Sequence, residues 1–182
     1  TIREDDKICN YLDIPIQHAS DNILKAMKRR STNRSITDKI AKLKEQIPDI
    51  HIRTTLITGF PGETEEDFDT LYDFVAEQRF ARLGVFAYSQ EEGTVAGQMP
   101  NQIDEEIKTE RADSIMRLQM EISLEENRSK IDTVQEVIVD EIDEDGSYIG
   151  RTRYDAPEID NAVIFTGKQE HKPGDMVMVH ID

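Results

Sequence analysis

Only one cysteine, Cys9, occurs in the 182 residues, and there is no tryptophan. A single thiol excludes an intrachain disulfide and fits a reducing, cytoplasmic compartment, because disulfides persist where the surroundings oxidise. No run approaches the roughly 18 to 20 consecutive apolar residues of a membrane-spanning helix. The first residues lack a basic stretch followed by an apolar core, so neither a membrane span nor an export signal is expected. Positive charge is scarce as well: 22 Lys and Arg stand against 38 Asp and Glu, a formal net charge of −16. That deficit disfavours broad binding to a polyanion, which depends on a cationic footprint, and makes a basic partner easier to accommodate. The missing initial methionine hints at a piece of a longer protein.

Against these absences, 37% of the residues are apolar, enough for the core of one soluble globular domain and a small second one. The acid is unevenly spread. From residue 133 onward there are 12 Asp and Glu against 4 Lys and Arg, a net −8 and half of the total on the last 50 residues. This tail is the expected docking surface.

The segment Arg53–Phe68 reads as a buried strand carrying Leu56 and Ile57, a turn with Gly59 and Gly62, and a helix capped by Thr64 with Asp67 three residues on. Exposed backbone at a strand's carboxyl end is where α/β folds bind ligands. Around it, residues 11–16 read as a strand, followed by a short helix that Ser20 can cap. A second helix runs from about Ile36, stopped by Pro48-Asp49. Helical spacing of Phe68, Leu71, Tyr72 and Val75 precedes a third strand over 83–88. After a loop at 89–101, residues 103–131 read as one long helix with Ile103, Ile107, Ile115, Leu118 and Ile122 as its apolar stripe. Beyond it the period falls to two, over 134–142, 148–154, 162–165 and 176–181. Turns at Glu144-Asp145-Gly146 and Pro173-Gly174-Asp175 separate short strands of a small antiparallel, OB-like barrel. The expected organisation is a parallel α/β domain over 1–101, a connecting helix over 102–131 and a β module over 132–182.

Three other signals carry less. Glu141-x-Asp143-x-Asp145-Gly146 imitates part of a calcium loop, but Thr152 stands where a bidentate Glu is needed and strands flank it, so a hairpin turn is expected. The four histidines, His18, His51, His171 and His180, show no metal-ligand spacing. Lys25-x-x-Lys28-Arg29-Arg30 reads either as a solvated helix end, where cations favour the dipole, or as a local RNA contact.

Taken in order, YLDIPIQHAS at 11–20, RTTLITGFPGETEEDF at 53–68 and GVFAYSQEEGT at 84–94, followed by a small β module, resemble the methylthiotransferases of the radical SAM superfamily. The likeness covers nearly the whole chain. It is similar to the RimO type, which methylthiolates an aspartate of the twelfth small-subunit ribosomal protein, more than to the MiaB type, which modifies an adenosine in tRNA. Where the tRNA enzymes usually carry arginine, this chain has Glu91-Glu92 before Gly93-Thr94, and its final module, resembling a TRAM domain, is acidic. The resemblance implies strands four to six of a partial (β/α) barrel with S-adenosylmethionine across their carboxyl ends. By the same resemblance, Gln17 and His18 face the cofactor or substrate. Arg53, Thr55, Ile57 and Gly59 match the fifth-strand motif, and Phe86 and Tyr88 lie near the adenine. Glu91 and Glu92 are implied on the substrate side. Arg53 is either a forked partner for the cofactor's carboxylate or a solvated strand-edge charge.

The family's chemistry also uses two 4Fe-4S clusters, one held by a CxxxCxxC loop that this sequence does not contain, so the chain alone is expected to be inactive. A half barrel would leave strand 11–16 with an open edge that invites self-association. The resemblance implies that hydrogen abstraction from the aspartate β-carbon precedes sulfur insertion, the cofactor also supplying the methyl group. Two other functions stay open: the tRNA-modifying relative, and a non-catalytic binding module built on the barrel and long helix.

Overall fold

A computed structural model describes residues 2–5 and 7–182. Parallel pairing organises the first sheet, in the order β1 (Tyr11–Asp13), β2 (His51–Thr58), β3 (Arg82–Ala87). Burial alternates strictly along β2: Ile52, Thr54, Leu56 and Thr58 turn into the core, and Arg53, Thr55 and Ile57 turn to the other face. The register sets Ile57 beside Phe86 and Thr55 beside Gly84, so the second face continues across β3. β1 is shorter than residues 11–16, because Pro15 has no N–H to give a ladder. The chain nevertheless stays against β2, with Ile14 N–H donating to Arg53 O and Gln17 bridging opposite Leu56.

Helices α1 (Asp21–Ala26), α2 (Asn33–Gln46) and α3 (Glu65–Gln78) follow the strands. α2 begins three residues before Ile36, because Thr32 and Ser35 form a reciprocal capping box. Thr64 and Asp67 form the same device on α3. Ser20 sits at the N-cap of α1 without a capping bond. Its hydroxyl donates instead to Asp67 Oδ1 at 2.5 Å, a charged acceptor that outcompetes a backbone amide.

The long helix α4 (Glu105–Arg128) is shorter than residues 103–131 and rotated relative to the expected stripe. Its buried face is Lys108, Arg111, Ile115, Gln119 and Ile122, while Ile107 is exposed. Polar side chains occupy that face because each has a partner: Gln119 donates to Phe80 O, and Arg111 pairs with Glu63. The remaining strands, β4 (Val134–Ile142), β5 (Tyr148–Thr152), β6 (Val163–Phe165) and β7 (Met176–His180), form an antiparallel sheet ordered β6-β5-β4-β7. Asp143–Ser147 closes the β4–β5 hairpin, with Gly146 at φ 86°. Val137, Val139, Tyr148 and Val179 are buried on its inner face, and Tyr148 stacks on Phe165.

The chain divides into two units, Leu12–Leu124 and a second that joins the residues up to Tyr11 with Glu125–Asp182. No described helix is long and apolar enough to cross a membrane.

Candidate functional site

The three strand tips of the α/β unit end side by side. Gln17 N–H donates to Thr55 O and Gln17 O accepts from Ile57 N–H, while Tyr88 N–H donates to Thr58 O at 2.8 Å. Gln17 holds φ 75°, a region uncommon for a side-chain-bearing residue. Gly59 follows β2 at φ 71°, and a Cβ there would lie 2.2 Å from Lys108 Cγ. Packing against α4 is therefore the reason for this glycine.

Behind the tips lies a buried carboxylate. Glu63 is 3% exposed and accepts from Gly59 N–H at 2.9 Å and from Arg111 Nη1 at 2.8 Å. His18 is fully buried, its Nδ1 accepting from Ser20 N–H at 2.9 Å and its Nε2 lying 3.2 Å from Glu63 Oε2. An Nδ1 that accepts leaves the ring proton on Nε2, aimed at Glu63, so a neutral imidazole satisfies both contacts. Arg111 also reaches Glu65, and Lys108 lies over the Tyr88 ring while pairing with Glu105. These groups clamp the glycine turn to α3 and α4. Asp67 performs the same service between α1 and α3. Burial works against its ionisation, but hydrogen bonds from Ser20, from Thr64 backbone and hydroxyl and from Asn22 prevail, holding it below the usual carboxylate value.

In front of the tips is a cavity of about 440 Å³, within the size range of small-molecule sites. Gln17, Ile57 and Tyr88 line it, joined by Phe60, whose ring meets Tyr88 edge to face at 5.3 Å. Met27, Lys28 and Arg29 from the end of α1 and Val95, Ala96 and Met99 from the loop after β3 complete the wall.

The sequence-predicted residues fall into distinct places. Gln17, Ile57 and Tyr88 meet in the cavity. Thr55 and Phe86 share the open face of the sheet, Phe86 being 63% exposed. Arg53 stands four residues down β2 from Ile57, roughly 13 Å by strand geometry, with its Nε 3.6 Å from Asp13. His18 and Gly59 belong to the clamp behind the cavity. Glu91 and Glu92 are exposed on the loop, Ser89 donating to the Glu91 carboxylate at 2.7 Å. Unforeseen from sequence are Phe60, Glu63, Lys108 and Arg111. Glu63 stood in the glycine turn as a charged residue with no periodicity to mark it. Lys108 and Arg111 showed only a three-residue spacing on the first turns of a helix where Ile107 suggested a different buried face.

Residues 3–75 match the radical SAM superfamily and residues 131–182 match the TRAM domain. Along its length the chain is 50% identical to the ribosomal protein uS12 methylthiotransferase RimO of Clostridioides difficile, covering 100% of this chain and 41% of that protein. The protein of the same name from Geobacter sulfurreducens gives the same identity and coverage, and that of Desulforamulus reducens is 51% identical over 98% of this chain. Over its whole length the chain is similar to a part of the RimO-type radical SAM methylthiotransferases. It spans about 41% of the length of these curated relatives.

Beside that likeness, the cavity offers an apolar wall of Ile57, Phe60 and Tyr88 for a flat ring and the Gln17 amide as a polar anchor. These groups fit an adenosyl ligand. A 4Fe-4S cluster does not fit the residues of this chain: the sequence has one cysteine, which is exposed. The described residues also hold no group of three His, Cys, Asp or Glu placed for a metal.

Proposed function

We propose that the full-length protein is a cytoplasmic radical SAM methylthiotransferase acting on an aspartate of ribosomal protein uS12, and that this chain supplies the rim on which S-adenosylmethionine lies. The observation that carries this reading is the meeting of Gln17, Ile57 and Tyr88 in one cavity at the strand tips. When bound, S-adenosylmethionine supplies hydrogen-abstracting radical chemistry and a methyl group. Ile57, Phe60 and Tyr88 exclude water from one face of its ring, and the Gln17 amide orients it. Thr55 and Phe86 extend the same face, His18 and Gly59 hold the turn through Glu63, and Arg53 supports the strand beside Asp13. Both 4Fe-4S clusters take their ligands from outside this chain.

Glu91 and Glu92, on the loop that also lines the cavity, face the basic substrate, and the acidic β4–β7 unit docks it. The net −8 of residues 133–182 supports a basic protein over tRNA. Tight, steeply salt-sensitive tRNA binding by the chain would reverse that choice.

Calorimetric titration with S-adenosylmethionine tests the cofactor site. Ile57→Ala and Tyr88→Ala are each expected to weaken binding about tenfold, the equivalent of roughly 1.4 kcal/mol. An intact chain that does not bind the cofactor, or variants that bind it as well as the parent, would defeat the reading.

A further inference from the structure

Residues 25–44 invert the charge of the chain. They hold eight Lys and Arg against a single acid, Asp38, a local net of +7 in a chain of −16, so the remaining residues carry −23. The segment runs from the end of α1 through the connector and along most of α2. Helix stability does not explain the placement. A helix dipole favours anions in the first turn and cations in the last, and α3 and α4 follow that rule with Glu65, Glu66 and Asp67 and with Glu105 and Glu106. α2 has no acid in its first turn, holds Arg34 there and is preceded by Arg30.

Most of these cations are also unengaged. Lys25, Arg30, Lys39 and Lys42 are exposed, and their side chains have no ion-pair or hydrogen-bond partner among the described residues. Arg34 approaches Asp38 only to 3.9 Å, with side chains 92% and 71% exposed, and such a pair contributes little. Lys44 and Arg29 are the exceptions, donating to Gln78 O at 2.6 Å and to Pro15 O at 2.9 Å. Lys39 and Lys42 stand one turn apart on α2 and line a cavity of about 460 Å³ together with Arg29, while Ser31 and Gln46 bring a hydroxyl and an amide to it. This cavity shares only Arg29 with the lining of the strand-tip cavity.

We propose that residues 25–44 form a contact for RNA that grips phosphates and leaves the bases unread, centred on Lys39 and Lys42 and extended by Lys25, Arg30 and Arg34. Phosphodiesters are the acceptors that a row of exposed Lys and Arg matches, and hydroxyl and amide donors such as Ser31 and Gln46 add bonds to phosphate or ribose. The acidity elsewhere does not cancel the effect, because exposed charges more than about 8 Å apart are largely screened at physiological ionic strength. The footprint is local, so the contact is weak and indifferent to sequence. That the polyanion is RNA rests on the proposed function, since a ribosomal protein is met beside RNA. The acidic β unit then attracts the basic protein and repels nucleic acid, and the cationic segment receives what the β unit rejects.

The test is a fluorescence-anisotropy titration of a labelled RNA hairpin with the 182-residue chain across a salt series. Micromolar binding that weakens steeply with salt is expected. Changing Lys39→Glu and Lys42→Glu together should weaken it about tenfold and lower the salt slope by about two, one for each lost phosphate contact. Lys39→Arg with Lys42→Arg should retain it. Lys168→Glu with Lys172→Glu makes the same change in net charge at exposed positions outside the segment and should alter binding little. All six positions changed are on the surface, and circular dichroism checks that each variant folds. A chain that binds no RNA, or the two Lys→Glu pairs acting equally, overturns the inference. Polyglutamate bound as tightly as the hairpin would make the segment a contact for acidic protein and overturn it as well. tRNA bound more tightly than the hairpin would overturn both the inference and the choice of a protein substrate. Cofactor binding without RNA binding would remove the contact and leave the proposed function standing, and RNA binding without cofactor binding would do the reverse.

Discussion

The α/β unit and the β unit handle charge in opposite ways. Around the strand tips of the first, Glu63, Asp67, Lys108 and Arg111 are all nearly inaccessible to water, and each is met by an oppositely charged or hydrogen-bonding partner. In the second, Asp155 is the one buried acid among the described residues, bonded to Thr152, and the other charges of β4–β7 lie at or near the surface. A buried pair fixes one geometry because either partner left alone is severely penalised. Displayed charges fix little geometry but set the field that an approaching partner meets. The first arrangement suits the proposed ligand rim, which would hold three strand tips in register, and the second suits the proposed docking surface.

Removing Glu63 should have the largest effect. Glu63→Ala leaves the Arg111 guanidinium, in a site where it is 6% exposed, with Glu65 alone as its ion-pair partner, and leaves Gly59 N–H and His18 Nε2 without their acceptor. Breaking a buried pair from one side costs about 3–5 kcal/mol, and urea unfolding followed by circular dichroism would measure it. Glu63→Gln should recover part of the loss, since an amide oxygen still accepts from Gly59. A loss below about 1 kcal/mol, the scale of an exposed pair, would erase the contrast between the two units.

Much of the frame was legible in the sequence because period carries it. A buried apolar segment marked β2, although its Ile57 turns out to face away from Leu56, alternation marked β4, and the glycine turn with Thr64 and Asp67 placed the start of α3. Gln17, Ile57 and Tyr88 could be assigned to strand tips from pattern and resemblance, and the tips do stand together. What pattern could not reveal was a buried face made of polar residues. Ile107 looked like a core residue of α4, but the face that packs carries Lys108 and Arg111, because their partners Glu105, Glu63 and Glu65 outweigh the apolar preference. Ser20 misled for the same reason: its best acceptor, Asp67, is 47 residues away. Long-range polar pairing leaves no periodic trace.

A middle-sized effect is expected at Asp67. Its four donor contacts hold the carboxyl below the ordinary value of 3.8 despite burial. The folded state therefore favours the ionised form more than the unfolded chain does, so this contribution is complete above the unfolded value and fades as pH falls through the lowered, folded one. Asp67→Asn should destabilise the α/β unit by about 2 kcal/mol at neutral pH, because the amide keeps one accepting oxygen where the carboxylate uses two and loses the charge that strengthens these bonds. It should also flatten the acid limb of the stability curve. An unchanged slope below pH 4 in the variant would show that Asp67 is not the group that titrates there.

The smallest effect should come from the β unit. Arg151 pairs with Asp140 across β4 and β5, with side chains 26% and 37% exposed. Partial exposure lets solvent and salt screen the pair, and exposed pairs contribute about 0–1 kcal/mol. Arg151→Ala should therefore cost less than about 1 kcal/mol in low salt, and raising the salt should shrink that cost further because the Debye length contracts. The residual loss that salt does not remove would measure the packing of the arginine stem against the outer sheet face. A cost that matches Glu63→Ala and ignores salt would mean that this pair is shielded from water as effectively as the one behind the strand tips. The acidic surface would then be a fixed structural element, unavailable to a basic partner.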